Sequence, residues 1–204
     1  LARVLHFTHG RNLEAVIAAG ELRAHATAGT IADIADVGIK TRRTTIEVGC
    51  GPGGFVGDYV PFYFAPRSPM LYRLEREHGE GGGDGQRPLV YVVADSDRLV
   101  AAGLSCVFSD GNAAHHLTRF SDNPAEMAAR VDWDLMRAVI WTDTPDDGDR
   151  VRRRQAEFLV HGAVPLDLIE ELAVIDNTVR LRVEQLLAAA GRALPVVVRR
   201  DWYF

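Results

Sequence analysis

The sequence predicts an α+β domain with mainly antiparallel strand pairing, and three observations carry that prediction. Short stretches with apolar residues at period two alternate irregularly with stretches at period 3.6. Most links between them are too short for the crossovers that parallel strands require. No internal repeat and no shift in composition divides the chain, so residues 1–204 read as a single domain.

Residues 3–7 read as the first strand. A helix follows from Asn12, an N-cap residue, to residue 19, with Leu13, Val16 and Ile17 on one face and Gly20 as its stop. Residues 30–43 read as a second helix, apolar at Ile31, Ile34, Ala35 and Ile39, delivering Lys40, Arg42 and Arg43 at its C-terminal end, where cations are favoured. The run VGCGPGGFVG over 48–57 holds five glycines and a proline and is expected to be loop; no strand leads into it and no helix follows, so it is not a dinucleotide fingerprint. Residues 60–64 form the next strand, ended by Pro66. Ser68 then caps a helix with Pro69 in its first turn and Met70, Leu71 and Leu74 on its buried side. Residues 78–87 read as a flexible surface loop.

Residues 88–94 form a β-branched strand, 95–102 a helix closed by Gly103, and 104–108 another strand. Between 110 and 150 helical fragments at 124–130 and 132–141 are followed by acidic turns at 143–149. Strands are expected at 154–161, 172–175 and 195–199, with a helix over 178–190.

Composition narrows the function. Apolar residues make up 47% and charged residues 25%, a soluble globular balance. The longest apolar runs, 186–190 and 195–198, fall far short of the roughly 20 residues of a membrane span. No charged-then-apolar leader opens the sequence, so a cytoplasmic protein with Cys50 and Cys106 as reduced thiols is expected. The net charge of −5 argues against holding nucleic acid by bulk electrostatics. Of the 23 basic residues, however, all but Lys40 are arginine, and they cluster at 42–43, at 67, 73 and 76, and at 150–154. The guanidinium fork suits phosphates and stacks on bases, so local patches can hold a short strand.

Seven histidines invite a metal, but His6 and His9 on one strand end and the adjacent His115 and His116 point apart, and no metal site is expected. Ser105-Cys106 lies in an apolar strand, where a cysteine packs rather than reacts. What remains is Glu157, directly after Arg152-Arg153-Arg154 and entering an apolar run. With period two, Gln155, Glu157 and Leu159 face a cleft, while Ala156, Phe158 and Val160 face the core. The competing reading is a half-buried edge strand bearing an ordinary exposed acid.

Four segments together resemble one family: His6-Phe7-Thr8-His9 with Asn12-Leu13; Ile39-Lys40-Thr41-Arg42-Arg43; the run from Asp58 to Tyr72 (DYVPFYFAPRSPMLY); and Arg154-Gln155-Ala156-Glu157-Phe158-Leu159-Val160. With the terminal Arg200-Asp201-Trp202-Tyr203-Phe204 they resemble the DarT family, DNA ADP-ribosyltransferase toxins of bacterial toxin–antitoxin systems. The resemblance implies an ADP-ribosyltransferase-like fold, a split, mainly antiparallel β-sheet core with flanking helices and NAD bound in the cleft as co-substrate. By position it implies His6, Phe7 and Thr8 at the nicotinamide-ribose half, Ala15 and Arg23 on the adenosine side, Arg43 as the key basic residue and Glu157 as the catalytic acid. The span 112–154 would form the substrate-recognition loop, and a macrodomain antitoxin of the DarG type would be the partner that removes the modification.

The chemistry asks for these groups. Breaking the bond from ribose to nicotinamide develops positive charge on the sugar, which a carboxylate at the 2′-hydroxyl stabilises more than it stabilises NAD itself. Guanidinium is a poor base, so Arg43 is expected to neutralise either the pyrophosphate or a developing thymine anion. The attacked base edge is occupied in a duplex, which favours single-stranded DNA. Arg67, Arg73, Arg150, Arg152, Arg153 and Arg154 are the expected phosphate contacts, with Tyr72, Trp133 and Trp141 as stacking surfaces and His115 or His116 near the base. Two alternatives stay open: the same fold acting on guanine, RNA or protein, and a non-catalytic DNA- or antitoxin-binding module.

Overall fold

Strand β1 (Arg3–His9) pairs antiparallel along its whole length with β4 (Leu89–Asp95), from Arg3↔Asp95 to His9↔Leu89, in a computed structural model that describes residues 2–27, 41–81 and 85–204. Of the helix predicted over 30–43, only residues 41–43 are described, and they are helical. Strand β2 (Glu21–Arg23) pairs with β8 (Ala163–Pro165) in a small second sheet. Strand β3 (Tyr59–Tyr63) pairs antiparallel with β7 (Glu157–His161), which also pairs with β5 (Cys106–Ser109), and β5 pairs with β6 (Phe120–Ser121). Strand β9 (Ile169–Val174) flanks β4, and β10 (Val196–Val198) adds to it in parallel. The large sheet therefore runs β10-β9-β4-β1-β3-β7-β5-β6. Its one parallel pair is joined through a helix, as parallel strands require.

The middle of this sheet is split. Antiparallel continuation from Leu5↔Tyr63 would set His6, Phe7 and Thr8 beside Phe62, Pro61 and Val60, yet Leu5↔Tyr63 is the one ladder pair between β1 and β3. Both strands stay fully paired on their outer sides, so a gap opens between two half-sheets.

Helix α1 (Gly10–Ala19) starts two residues earlier than its pattern suggests. His9 Nδ1 accepts the Arg11 N–H at 3.1 Å and acts as the cap, so Asn12 becomes interior and buried, donating to Thr8 Oγ1 at 3.2 Å. Gly20 stops the helix with φ 73°, the left-handed conformation glycine adopts without cost. Helix α2 (Pro69–Gly81) is capped by Ser68, whose Oγ accepts the Leu71 N–H at 3.2 Å, and it runs into the stretch expected to be loop from 78. Helix α3 (Ser96–Ala101) is capped by Asp95. Short helices α4 (Met127–Arg130) and α5 (Trp133–Arg137) follow, and residues 138–141 leave the helix predicted there as exposed or half-exposed chain. Helix α7 (Asn177–Ala189) is capped by Asp176, whose Oδ1 accepts the Val179 N–H at 2.9 Å.

The largest departure from expectation is helix α6 (Arg150–Arg154), where a strand was predicted from 154. Its cations sit in a last turn, where the helix dipole favours them. Strand β7 consequently begins at Glu157. It lies inside the sheet between β3 and β5, which excludes the edge-strand alternative. Phe158 and Val160 face the main core, whereas Leu159 packs with Val48, Val56, Tyr59, Val107 and Ala113 in a second apolar cluster under the glycine-rich loop. That loop folds closely on the sheet: a Cβ at Gly51, φ 58°, would stand 2.9 Å from Val107 Cγ1.

Arg154 illustrates what the arginine run does. Its side chain is buried, Nη1 donates to Leu135 O and Met136 O at 2.7 Å each, and Nη2 donates to Pro66 O at 2.7 Å. Burial lowers its pKa to about 10, so it stays protonated at neutral pH while tying α5 to the link after β3. Replacing it by leucine strands these carbonyls at a cost of about 3 kcal/mol. Urea unfolding should show that loss, while DNA affinity per folded molecule stays unchanged; the opposite pattern would return Arg154 to the DNA surface.

Candidate active site

Glu157 is the first residue of β7 and lies directly across from Tyr63, which in turn lies across from Leu5. The carboxylate thus sits where the half-sheets part. It is 1% exposed, an unusual position for an acid unless its charge is answered. Oε1 accepts from Arg43 Nη1 at 3.1 Å and from the Ala113 backbone N–H at 3.0 Å. Ser109 Oγ accepts the Glu157 backbone N–H at 3.0 Å and donates to Gly111 O at 2.7 Å, fixing the strand start to the following loop.

Arg43 comes from the other side of the chain. Residues 41–45 close a turn in which the Thr44 and Thr45 hydroxyls donate to Thr41 O and Arg42 O at 2.8 and 2.9 Å. Gly57 lies against it, where a Cβ would stand 3.2 Å from Thr44 Cγ2. Arg43 Nη2 is 3.0 Å from Glu157 Oε2, so the guanidinium faces both carboxylate oxygens. Burial opposes the charge on Arg43, but the Glu157 carboxylate outweighs it and raises the arginine pKa. Arg43 is a fixed cation.

His6 bridges the split, its Nδ1 donating to Pro61 O at 2.8 Å across the gap in the ladder. Because a carbonyl only accepts, the proton sits on Nδ1 and Nε2 is left as an acceptor. Burial, with the Arg43 charge adding to it, lowers its pKa to about 4 despite the Pro61 bond. The neutral ring is what the fold keeps, so the stability it contributes is full above the unfolded value of about 6.5 and is lost as pH falls toward 4. The stability difference between wild type and His6→Asn in urea should shift by about 3 kcal/mol between pH 7 and pH 4, against the wild type. A pH-independent difference would contradict a neutral His6. Phe7 is buried and stacks on Tyr63, ring centroids 6.0 Å apart at 21°. Burial and the Glu157 charge push the Tyr63 phenol well up, so it remains a donor beside the carboxylate.

Of the residues expected around the dinucleotide, His6, Thr8, Arg43 and Glu157 border the split or follow it along β1, while Ala15 on α1 and Arg23 on β2 are exposed, Arg23 donating to Glu21 at 2.7 Å. Tyr63, Ser109 and the Ala113 amide were missed. The β3 register would have exposed the first, since Tyr63 shares a face with Glu157. Gln155 is not on the strand with Glu157; it caps α6, accepting from Asn112 Nδ2 at 3.0 Å.

The expected phosphate contacts divide. Arg154 is structural. Arg67, at φ 57°, spends Nε and Nη2 on Tyr203 O at 2.9 and 2.7 Å. Arg152, 12% exposed, is held by Asp110 and Asp149. These three spend guanidinium donors on protein groups, Arg67 and Arg154 on backbone carbonyls and Arg152 on the carboxylates of Asp110 and Asp149. Arg73 beside Glu77, Arg150 on Thr142 O and Ile140 O, and Arg153 on Asp147 reach the surface in part. Tyr72 and Trp141 meet edge to face at 6.3 Å, with Tyr72 43% exposed, whereas Trp133 packs on Phe64. His115 and His116, two and three residues after Ala113, stack with ring centroids 4.5 Å apart. Among the described residues no group of His, Cys, Asp and Glu is arranged to hold a metal ion, and no helix is long and apolar enough to cross a membrane. Cys50 and Cys106 are unpaired, and burial pushes the Cys106 thiol up to about 12.

Comparison with known proteins gives a consistent picture. The family model described as ssDNA thymidine ADP-ribosyltransferase, DarT, matches residues 5–204. A DNA ADP-ribosyl transferase of Thermus sp. (strain 2.9) is 38% identical over 204 residues, covering 98% of this chain and 95% of the relative; one from Mycobacterium tuberculosis is 36% identical over 205 residues, covering 98% and 88%. Among solved structures, Thermus sp. 2.9 DarT in complex with ADP-ribosylated ssDNA superposes with a TM-score of 0.91 at 36% identity, covering 100% of this chain and 96% of that one. The same protein in complex with NAD+ gives 0.88 at 34% identity, covering 100% and 98%.

Proposed function

The chain belongs to the DarT family of ssDNA thymidine ADP-ribosyltransferases, and from that membership we propose that it transfers ADP-ribose from NAD to thymine in single-stranded DNA. NAD supplies the ADP-ribosyl group: the bond from ribose C1 to the nicotinamide nitrogen breaks, nicotinamide leaves with the bonding pair, thymine N3 bonds to C1, and the N3 proton passes to water. The observation that carries the reading is the buried Glu157 carboxylate, paired with the Arg43 guanidinium where the half-sheets part. A carboxylate buried at a sheet split, with Oε1 bonded by Arg43 and Ala113 and Oε2 touched by Arg43 alone, retains a lone pair for a sugar hydroxyl whose ring turns cationic.

The contact between Arg43 and Glu157 favours one of the two roles open to the arginine. A guanidinium 3.0 Å from the carboxylate belongs to the reacting end of the dinucleotide, and it would stabilise the thymine anion rather than the pyrophosphate. His6, Phe7 and Thr8 would hold the nicotinamide-ribose half, with β1 backbone groups lacking a β3 partner free for the carboxamide; Ala15 and Arg23 would take the adenosine side. Arg73, Arg150 and Arg153 would meet phosphates, and Tyr72 and Trp141 the bases. We take the chain to act as one domain, as the toxin of a toxin–antitoxin pair whose macrodomain antitoxin reverses the modification, in the cytoplasm where DNA and NAD are found.

Incubation with NAD and four homopolymeric oligonucleotides, followed by intact-mass measurement, tests this. One ADP-ribosyl group should appear on the thymine strand. Modification of the guanine strand instead, or of none while NAD is consumed, would point to another acceptor.

A further inference from the structure

Arg152 is one of three consecutive arginines, yet its surroundings differ from those of its neighbours. Nε and Nη2 each meet Asp149 at 2.7 Å, while Nη1 donates to Asp110 Oδ1 at 2.9 Å and to Thr118 Oγ1 at 3.2 Å. Asp110 and Thr118 are the two ends of the segment that contains Ala113. The Arg152 backbone carbonyl accepts the Asn112 N–H at 3.0 Å, one residue before the amide that reaches Glu157. Asn112 then closes the segment on itself, its carbonyl accepting Thr118 Oγ1 at 2.7 Å and its Oδ1 accepting the Ala114 N–H at 2.8 Å. Gly111 leaves the room that this contact needs: a Cβ there would stand 2.3 Å from Arg152 Nη1.

We propose that Arg152 is a positioning residue for the transfer reaction, an inference that rests on the reading above: it buckles residues 110–118 to α6 so that the Ala113 amide holds Glu157 Oε1 and the carboxylate is aimed at the sugar. No contact of Arg152 with substrate is involved. Without the buckle, the Ala113 amide drifts and Arg43, at 3.1 Å from Oε1 and 3.0 Å from Oε2, is left as the one group that aims the carboxylate. The acid is then present but wrongly aimed, which lowers turnover rather than binding.

The test uses Arg152→Gln, Arg152→Lys and Asp110→Asn in the full chain, with kcat and KM for NAD and for a thymine oligonucleotide, urea unfolding, and amide hydrogen exchange across 110–118. Expected are a kcat lower by about ten- to a hundredfold in Arg152→Gln, little rescue by lysine because an ammonium cannot span these partners, a smaller drop in Asp110→Asn, and both KM values within about threefold. Exchange across 110–118 should rise about tenfold in Arg152→Gln, whether or not thymine is the acceptor. Unchanged exchange overturns the proposal whatever the activity. A raised KM for DNA with kcat intact overturns it in favour of a phosphate contact, and an activity loss that only tracks the unfolded fraction overturns it in favour of general stability. A wild type that leaves thymine unmodified while exchange still rises in the variant sinks the functional reading and not the buckle.

Discussion

Glu157→Gln lowers thymine modification by about a thousandfold or more, with the KM for NAD within about threefold of wild type. The change keeps the length of the side chain and one acceptor for the Ala113 amide, and it removes the charge that the sugar meets as it turns cationic. A thousandfold is about 4 kcal/mol of transition-state stabilisation, the scale of one preorganised electrostatic contact in a dry site. Stability changes as well, because the variant leaves Arg43 without its counter-ion; breaking a buried pair costs about 3–5 kcal/mol, and the 17% exposure of Arg43 places this case at the lower end. Urea unfolding must therefore accompany the mass measurement. A folded Glu157→Gln protein with activity within tenfold of wild type would remove the carboxylate from the mechanism.

Arg43→Ala comes second, with an expected loss of about a hundred- to a thousandfold in kcat. Arg43→Lys should recover little of it, since an ammonium offers no planar fork to bridge Oε1 and the reacting base at once. Because the two residues act as a unit, Arg43→Ala combined with Glu157→Gln should cost about as much as the worse single change. Strict additivity in such a cycle would mean that Arg43 works elsewhere, at the pyrophosphate, and that its contact with Glu157 is incidental. Single-turnover kinetics with saturating NAD separate the cases, since a pyrophosphate role would appear mainly in NAD affinity.

The arginine run at 150–154 shows where sequence reasoning stopped. Read linearly it is a basic patch before a strand, and a DNA surface follows naturally. Folded, Arg154 is buried under carbonyls, Arg152 is enclosed by Asp110 and Asp149, and part of the run reaches solvent. Nothing in local spacing distinguishes these fates, because the partners lie up to 88 residues away. The acidic turn at 143–149 lies closer, with Asp149 three and Asp147 six residues before Arg152 and Arg153, and the fold of α6 brings them together. Asp147 and Asp149 look solvated in sequence and serve as counter-ions in space.

By itself the sequence determined the elements whose signals are local: the α+β class, the caps at Ser68 and Gly20, the apolar strands β3 and β4, and the family motifs that surround Arg43 and Glu157. Hydrophobic period and capping chemistry act over a few residues, so they survive in one dimension. Only the tertiary structure decided that β7 is interior, that the ladder between β1 and β3 stops after one pair, and that Arg43 reaches Glu157 across 114 positions. Strand neighbours and ion pairs are set by which surfaces the whole chain can bury together. Burial is also what makes one acid with one fixed counter-ion chemically significant.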